Sequence, residues 1–481
     1  MSRHADDAIA RLQETVADGR LANPVYRREQ LAKLLAALID SRESIKAALV
    51  RDTSVTQREA FAEIYQTLAA LRSHVDETAP DAQLAAEYSI AEGRNAVSLR
   101  QGLGIVALEP QSHTPFFSIF SPLGAAVAAG NPVVLVLKKT LHHLPALVQN
   151  ILQTTLDPGL VAIVPSEPAN LQAALNIRQI STREEDNDGV RLLASPSDAL
   201  TVAVVDRTSN VDAAARAVWS SRTAYGTASP YAPDVVLVNE FSKNHFVKAL
   251  LDQCLKNHDQ YPASKPARDD ATQDILRDGS KSIASGAWGQ VIELTSRSTL
   301  NKVGKLKQRA FYIYPYRSLE DALELANGLT SDALLATYAF GDRKTCKYLL
   351  QFVDSDVGFA NAIPTEVLVG PAAPRSHPIQ LTTRYSTEML STPRPRYAEE
   401  GEQTQLSSVL AHVLTGRLTA VQEDKILSKL RPEKRKPANP GIGYFERGVL
   451  VGGATVLLPL LGGVSAAAFF AARIVYRKYV R

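Results

Sequence analysis

Few residues of this 481-residue chain have the types and spacing that chemistry requires. A thiolate is a strong nucleophile and a soft metal ligand, which makes cysteine the first candidate. Only Cys254 and Cys346 are present, too far apart in sequence to suggest a disulfide framework or a zinc set. Each falls in a helical stretch among apolar neighbours, 246–255 and 344–352, as small buried side chains do. Histidine offers acid–base chemistry near neutral pH. His113 stands in the turn Ser112-His-Thr-Pro115 directly after an apolar run, while His142 and His143 are adjacent and have no further ligand at metal spacing. No metal site is expected. The acidic run Glu184-Glu-Asp-Asn-Asp188 reads as an exposed loop.

The elements that must position His113 are legible around it. Residues 103–108 read as a buried strand, followed by a turn, an Ala-rich helix closed by Gly130-Asn131, and a second all-apolar strand over 133–137. That order starts a doubly wound parallel sheet. Upstream, Ile9, Leu12 and Val16, then Leu31, Leu34, Leu35, Leu38 and Ile39, then Ile64, Leu68 and Leu71 recur at helical spacing. Downstream, buried strands at 202–205, 235–238 and 310–314 mark a second α/β block over 201–363. The chain is long enough for two or three domains with ordinary cores. A net charge of +3 from 53 basic and 50 acidic residues, with no basic stripe, argues against a nucleic-acid partner. Sparse cysteine fits a reducing compartment, and the N-terminus carries no apolar stretch of a secretory signal.

From 448 to 472 no residue is charged, and Val, Leu, Ala, Gly and Phe dominate, enough to cross a hydrocarbon layer of ~30 Å. Tyr444, Phe445 and Arg447 precede this stretch, and Arg473, Tyr476, Arg477, Lys478 and Tyr479 follow it, the aromatic and basic flanks of two interfaces. With few residues beyond it, the segment reads as a single-pass C-terminal anchor in the lipid bilayer, with the bulk of the chain in the cytosol. Endoplasmic reticulum, mitochondrial outer membrane and peroxisome are not distinguished. A polar linker with one amphipathic helix over 404–430 and the basic Lys434-Arg-Lys436 lead into it.

The stretch 103–138 resembles the aldehyde dehydrogenases in order and spacing, and the shorter membrane-bound fatty aldehyde dehydrogenases look closest. The resemblance covers most of the chain. Trp219 and Ala232-Pro-Asp-Val-Val-Leu-Val238 sit like the family's cysteine-bearing segment; Tyr312-Ile-Tyr-Pro-Tyr and the helix pattern after it resemble a later strand and helix; 384–395 resembles the closing segment. It implies a fold of two doubly wound Rossmann-type α/β domains, here shortened, plus a C-terminal transmembrane helix. The boundaries are an NAD-binding-like domain over 1–200, a catalytic-like domain over 201–365, a closing segment and linker over 366–447, and the span over 448–472.

In the resembled family a thiolate attacks the aldehyde, an Asn amide and a backbone N–H hold the oxyanion, hydride passes to NAD, and a Glu-activated water releases the acid. The matching positions here are altered. His113 stands at the amide, counting forward from Trp219 puts the nucleophile at Ser229, and counting back from Ala232 puts it at Pro230. The general base falls near Ala194 and Ser195, where no carboxylate stands. The family's ribose-binding Lys-Pro-Ser-Glu becomes Val136-Leu-Lys-Lys139, so Lys139 replaces the Glu and Lys138 reaches a ribose only on a shifted register. Lys305 stands where a second ribose-binding Glu belongs. Between 165 and 202 the chain is about twenty residues short, so at least one element of a βαβ crossover is lost.

Two readings follow. The first is a catalytically degenerate, membrane-anchored homologue with a binding or non-redox role and no cofactor. The second is a divergent NAD(P)-dependent fatty aldehyde dehydrogenase oxidising aldehydes to acids. Both allow an apolar aldehyde or lipid-like small molecule as ligand and a homodimer as assembly.

Overall fold

The computed structural model describes residues 2–479 apart from 54, 95, 97, 139–141, 167–170, 172–173, 180–190, 228, 258–269, 376, 394–404, 416–418 and 432–443. The chain forms two units, Met1–Tyr397 and Ala398–Arg481.

The first unit begins with five helices: α1 (Ser2–Asp18), α2 (Pro24–Asp40), α3 (Arg42–Asp52), α4 (Gln57–Glu77) and α5 (Pro80–Ala91). The side chain of Asn23 caps α2, and a capping box between Thr56 and Glu59 starts α4. Leu31, Leu34, Leu38, Ile64 and Leu71 are buried, as their spacing predicts. Short strand β1 (Arg100–Gly102) precedes β2 (Val106–Glu109), α6 (Pro115–Ala129), β3 (Val133–Val136), α7 (His143–Thr155), β4 (Val161–Val164), β5 (Leu175–Arg178) and β6 (Arg191–Ala194). Strands β2 to β6 make a parallel sheet in the order β4-β3-β2-β5-β6. The order reverses between β2 and β5, which opens a switch-point crevice at their carboxyl ends.

Helix α6 is buried along almost its whole length and ends at Gly130, whose φ of 92° suits glycine. Asn131 then fixes two approaches: its Oδ1 accepts from Gly104 N (3.0 Å), and its Nδ2 donates to Leu390 O (2.8 Å). Helices α2, α4, α6 and α7 cover one face of the sheet. On the other, Ile9 and Leu12 of α1 pack on Val134, Val136, Ala162 and Val164. The connections 165–174 and 179–190 are barely long enough for a helical crossover, which takes about a dozen residues or more. Neither contains a helix among the described residues.

The second sheet is built from β7 (Thr201–Val205), α8 (Val211–Thr223), β8 (Val235–Asn239), α9 (Lys243–Lys256), α10 (Asp270–Arg277), β9 (Lys281–Gly286), β10 (Gly289–Glu293), α11 (Arg297–Leu300), β11 (Ala310–Tyr316), α12 (Leu319–Asn327), β12 (Ala336–Phe340), α13 (Arg343–Phe352) and β13 (Gly358–Ala360). Its order is β13-β12-β7-β8-β11-β10-β9, parallel except for β9. Strands β7, β8 and β11 match the three expected apolar runs. The hairpin of β9 and β10 was not expected, because β9 lies on the sheet edge, mostly exposed, and has no apolar alternation. Residues 366–393 also pack into the first unit: Val367, Leu368, Val369, Tyr385, Met389 and Leu390 are buried, and β14 (Ser391–Pro393) pairs antiparallel with β1.

The second unit holds α14 (Gln405–Leu414), α15 (Ala420–Lys429) and α16 (Tyr444–Tyr479). Within α16, the 29 residues Glu446–Ile474 are predominantly apolar and long enough to cross a membrane, and their most apolar stretch is not buried in protein.

Candidate functional site

Ser229 and Pro230 lie on the loop from α8 to β8, which leaves α8 through Tyr225 (φ 48°) and Gly226 (φ 70°). Ser229 is buried, and its Oγ has no hydrogen-bond partner among the described residues. Among the described residues no base hydrogen-bonds to it, and none raises its nucleophilicity. The loop is held from beneath by Asp234. Its Oδ1 accepts from Arg222 Nη2 (3.0 Å) and Leu306 N (3.0 Å), and its Oδ2 from Thr201 N (2.8 Å) and Lys305 Nζ (2.9 Å). Lys305 also donates to the carbonyls of Pro230 and Ala199, and Arg222 to those of Leu306 and Ala232. Burial pulls both cations below their ordinary pKa, and Asp234 pulls them back. Lys305, expected at a ribose, is buried and ties the loop of Ser229 and Pro230 to Asp234.

His113 is buried in the turn between β2 and α6. Its Nε2 lies 2.9 Å from Leu368 O. A carbonyl only accepts, so Nε2 carries the proton. Burial, and then the nearby Arg384 charge, lower the ring pKa to about 4 against the opposing Leu368 bond, so it is neutral at pH 7. A neutral imidazole has one N–H. That N–H is committed to Leu368, leaving Nδ1 an acceptor that cannot hold an oxyanion.

The segment that receives it is clamped from three sides. Gly370 N donates to Thr114 Oγ1 (2.8 Å), with Thr114 itself at φ 41°. Arg384 (φ 63°) donates from Nη2 to Val369 O (2.8 Å) and lies over the Tyr231 ring at 5.1 Å. Its Nε and Nη1 are buried without partners among the described residues. Strained backbone and unsatisfied polar atoms thus gather around His113.

Glu63 of α4 was not anticipated. Its Oε1 accepts from Phe116 N (2.8 Å) and Phe117 N (3.3 Å) at the start of α6, while Oε2 is buried and unpartnered among the described residues. Burial pushes its pKa up to about 8. A carboxylate on the apolar stripe of Ala60, Ile64, Thr67 and Leu71 was the legible signal. At the expected general-base position, β6 ends at Ala194, and Ser195 Oγ lies 3.4 Å from Tyr385 Oη.

A cleft of about 320 Å³ opens at the carboxyl ends of β2 and β3, lined by Asp52, Glu109, Gln111, Val136, Lys138 and His142 among others. Lys138 is exposed and ion-pairs with Glu109 at 3.4 Å. Lys139 and the acidic run 184–188 lie outside the described residues. Asp52 closes the start of α7: Oδ2 accepts from Leu144 N (2.7 Å), and Oδ1 lies 3.0 Å from His143 Nδ1 and 3.8 Å from His142 Nδ1. Both helices that follow β2 and β3 therefore start on a side-chain carboxyl of the chain itself. Gln179 bridges the switch-point crevice, accepting from Gln111 N (3.1 Å) and donating to Ser118 O (2.8 Å). Among the described residues no group of three potential ligands could hold a metal.

The two cysteines lie on opposite faces of the second sheet. Cys254 is in the core with Ala203, Val205 and Trp219, and Cys346 is in the core with Val202 and Val204. Burial pushes the Cys254 thiol up to about 12, and burial with Asp342 nearby also raises Cys346.

Residues 2–182 match the aldehyde dehydrogenase family model. The 4,4'-diaponeurosporen-aldehyde dehydrogenase of Staphylococcus aureus is 22% identical over 241 residues, 47% of this chain and 52% of that protein. The chain thus spans about half the length of that relative. The dimeric NADP-preferring aldehyde dehydrogenase of Rattus norvegicus is 23% identical over 397 residues, covering 76% of this chain and 86% of that protein. The substrate-bound structure of Staphylococcus aureus AldH superposes with a TM-score of 0.66 at 15% identity, covering 86% of this chain and 99% of that one. The NADP complex of glyceraldehyde-3-phosphate dehydrogenase GapN from Methanocaldococcus jannaschii gives 0.61 at 13% identity, covering 81% and 93%.

Proposed function

We propose, for a chain that carries an aldehyde dehydrogenase family domain, that it is a membrane-anchored homologue which no longer oxidises aldehydes and serves instead as a binding or other non-redox protein. The observation that carries this reading is the burial of both thiols in the helix–sheet cores on opposite faces of the second sheet. A thioester route needs a thiolate at the substrate. A thiol held near 12 inside a helix–sheet core supplies almost none at neutral pH. The oxyanion donor is gone as well, since the His113 N–H is engaged by Leu368. Loss of one such donor costs roughly 10²–10³ in rate.

The cofactor fits poorly. A pyrophosphate favours a free helix N-terminus, and α6 and α7 start on the Glu63 and Asp52 carboxyls. Lys138 is paired with Glu109, and Lys305 is buried and paired with Asp234. We therefore derive no hydride transfer. The working-dehydrogenase alternative draws on the cleft beside β2 and β3, which leaves room for part of a nucleotide. The ligand class we favour is an apolar aldehyde or related lipid-like molecule, delivered from the bilayer that Glu446–Ile474 would cross. A homodimer is carried over from the rat relative, which is named as dimeric.

The test uses full-length protein in detergent. Titration calorimetry should give no saturable heat with NAD or NADP, and medium- and long-chain aldehydes should yield no reduced nicotinamide above background. Cys254→Ala with Cys346→Ala should leave any residual signal unchanged. Robust turnover abolished by either substitution would sink the proposal and restore a working dehydrogenase.

A further inference from the structure

Helix α14 carries an exposed apolar stripe. Leu406, Leu410, Val413 and Leu414 share one face of the helix, at 68%, 49%, 46% and 85% exposure. Ser407, Ser408 and His412 take the other face, and no residue of the helix is charged. Water is a poor environment for such a face. A second copy of the helix is a poor cover too, because coiled-coil pairing needs about three to four heptads and α14 has ten residues.

Two features of the same unit point to lipid. Residues 415–445 tether α14 to the apolar span of α16. Once the span is inserted, the bilayer surface is held around α14 at an effective concentration of roughly millimolar, so a stripe too short to bind from solution binds when tethered. Over 415–447 the sequence carries eight basic residues, Arg431, Lys434, Arg435, Lys436 and Arg447 among them, against Glu423, Asp424, Glu433 and Glu446. This net positive run complements anionic headgroups.

We propose that α14 lies in the plane of the membrane interface, with Leu406, Leu410, Val413 and Leu414 at the headgroup–acyl boundary and Ser407, Ser408 and His412 toward water. The inference rests on the reading of α16 as a membrane span. It adds a second, reversible contact that holds the start of this unit against the bilayer surface.

The test uses the full chain in phosphatidylcholine–phosphatidylglycerol vesicles, with a nitroxide at Leu410→Cys or at Ser408→Cys; the native thiols are buried. Relaxation by oxygen, which concentrates in lipid, is compared with relaxation by a water-soluble nickel chelate. The oxygen-to-nickel ratio should be several-fold higher at 410 than at 408. Equal access of nickel to both sites would overturn the proposal, since the helix would then be in water. Screening of 410 from both agents would overturn it too, by placing the stripe against protein, whether the globular unit or a second copy. As a second measurement, Leu406→Asp with Leu410→Asp should speed amide exchange over 406–414 several-fold in the same vesicles; unchanged exchange would count against it. Failure of the span reading shows separately, as loss of the whole chain from vesicles in carbonate.

Discussion

Glu63 and His113 face the same turn and titrate in opposite senses. Glu63 has a folded pKa of about 8 against an ordinary 4.5, so the folded chain binds a proton that the unfolded chain releases between those values. Its contribution is fully present below about 4.5 and is lost as pH rises through 8. His113, held near 4 against 6.5, does the reverse: its contribution is present above 6.5 and is lost as pH falls through 4. Glu63→Gln keeps an acceptor for Phe116 N and Phe117 N but cannot ionise. The variant should therefore melt higher than the parent at pH 8 and close to it at pH 5, by several degrees at the alkaline end. Thermal melts of both proteins across that range decide the matter. An unchanged slope would mean that Glu63 is wet or paired.

At the scale of elements, the Asp234 cluster decides whether the Ser229 loop keeps its path. Asp234→Asn leaves Arg222 and Lys305 buried without a counter-charge, and breaking such a pair costs about 3–5 kcal/mol. Lys305→Met removes one of two cations and frees the Pro230 carbonyl, while Arg222 still faces Asp234. It should cost clearly less, and the double variant should cost less than the sum of the singles. Denaturant melts of the three variants measure this; additive losses would show that the groups do not act together. The elements themselves were largely legible, because α6, β2, β3, β7, β8 and β11 carry continuous apolar runs bounded by Gly, Pro or Asn. The contacts that define the site were not. The bond from His113 to Leu368, the capping of α6 by Glu63 and the pairing of Lys305 with Asp234 join segments distant in sequence, and no local pattern encodes them. Lys305 shows the consequence. A register placed it at a ribose, and only the fold shows its amine turned toward Asp234.

On the scale of the whole molecule, the chain divides into a unit that contains the parallel sheets and the closing strand, Met1–Tyr397, and a unit that ends in α16. The hydrophobic cores lie within the first unit, whereas Leu450, Leu457, Leu461, Val464, Phe469 and Phe470 of α16 are exposed. A helix apolar on every side is the kind that a protein core or a membrane surrounds. Full-length protein should stay with membranes through a carbonate wash, and a chain ending at Glu433 should be released, because the span supplies most of the affinity. Carbonate also strips peripheral contacts, so α14 cannot hold the shortened chain in place and mask the result. A Glu433-terminated chain that still pellets after the wash would show that the globular unit itself is embedded, and would remove α16 as the source of membrane attachment.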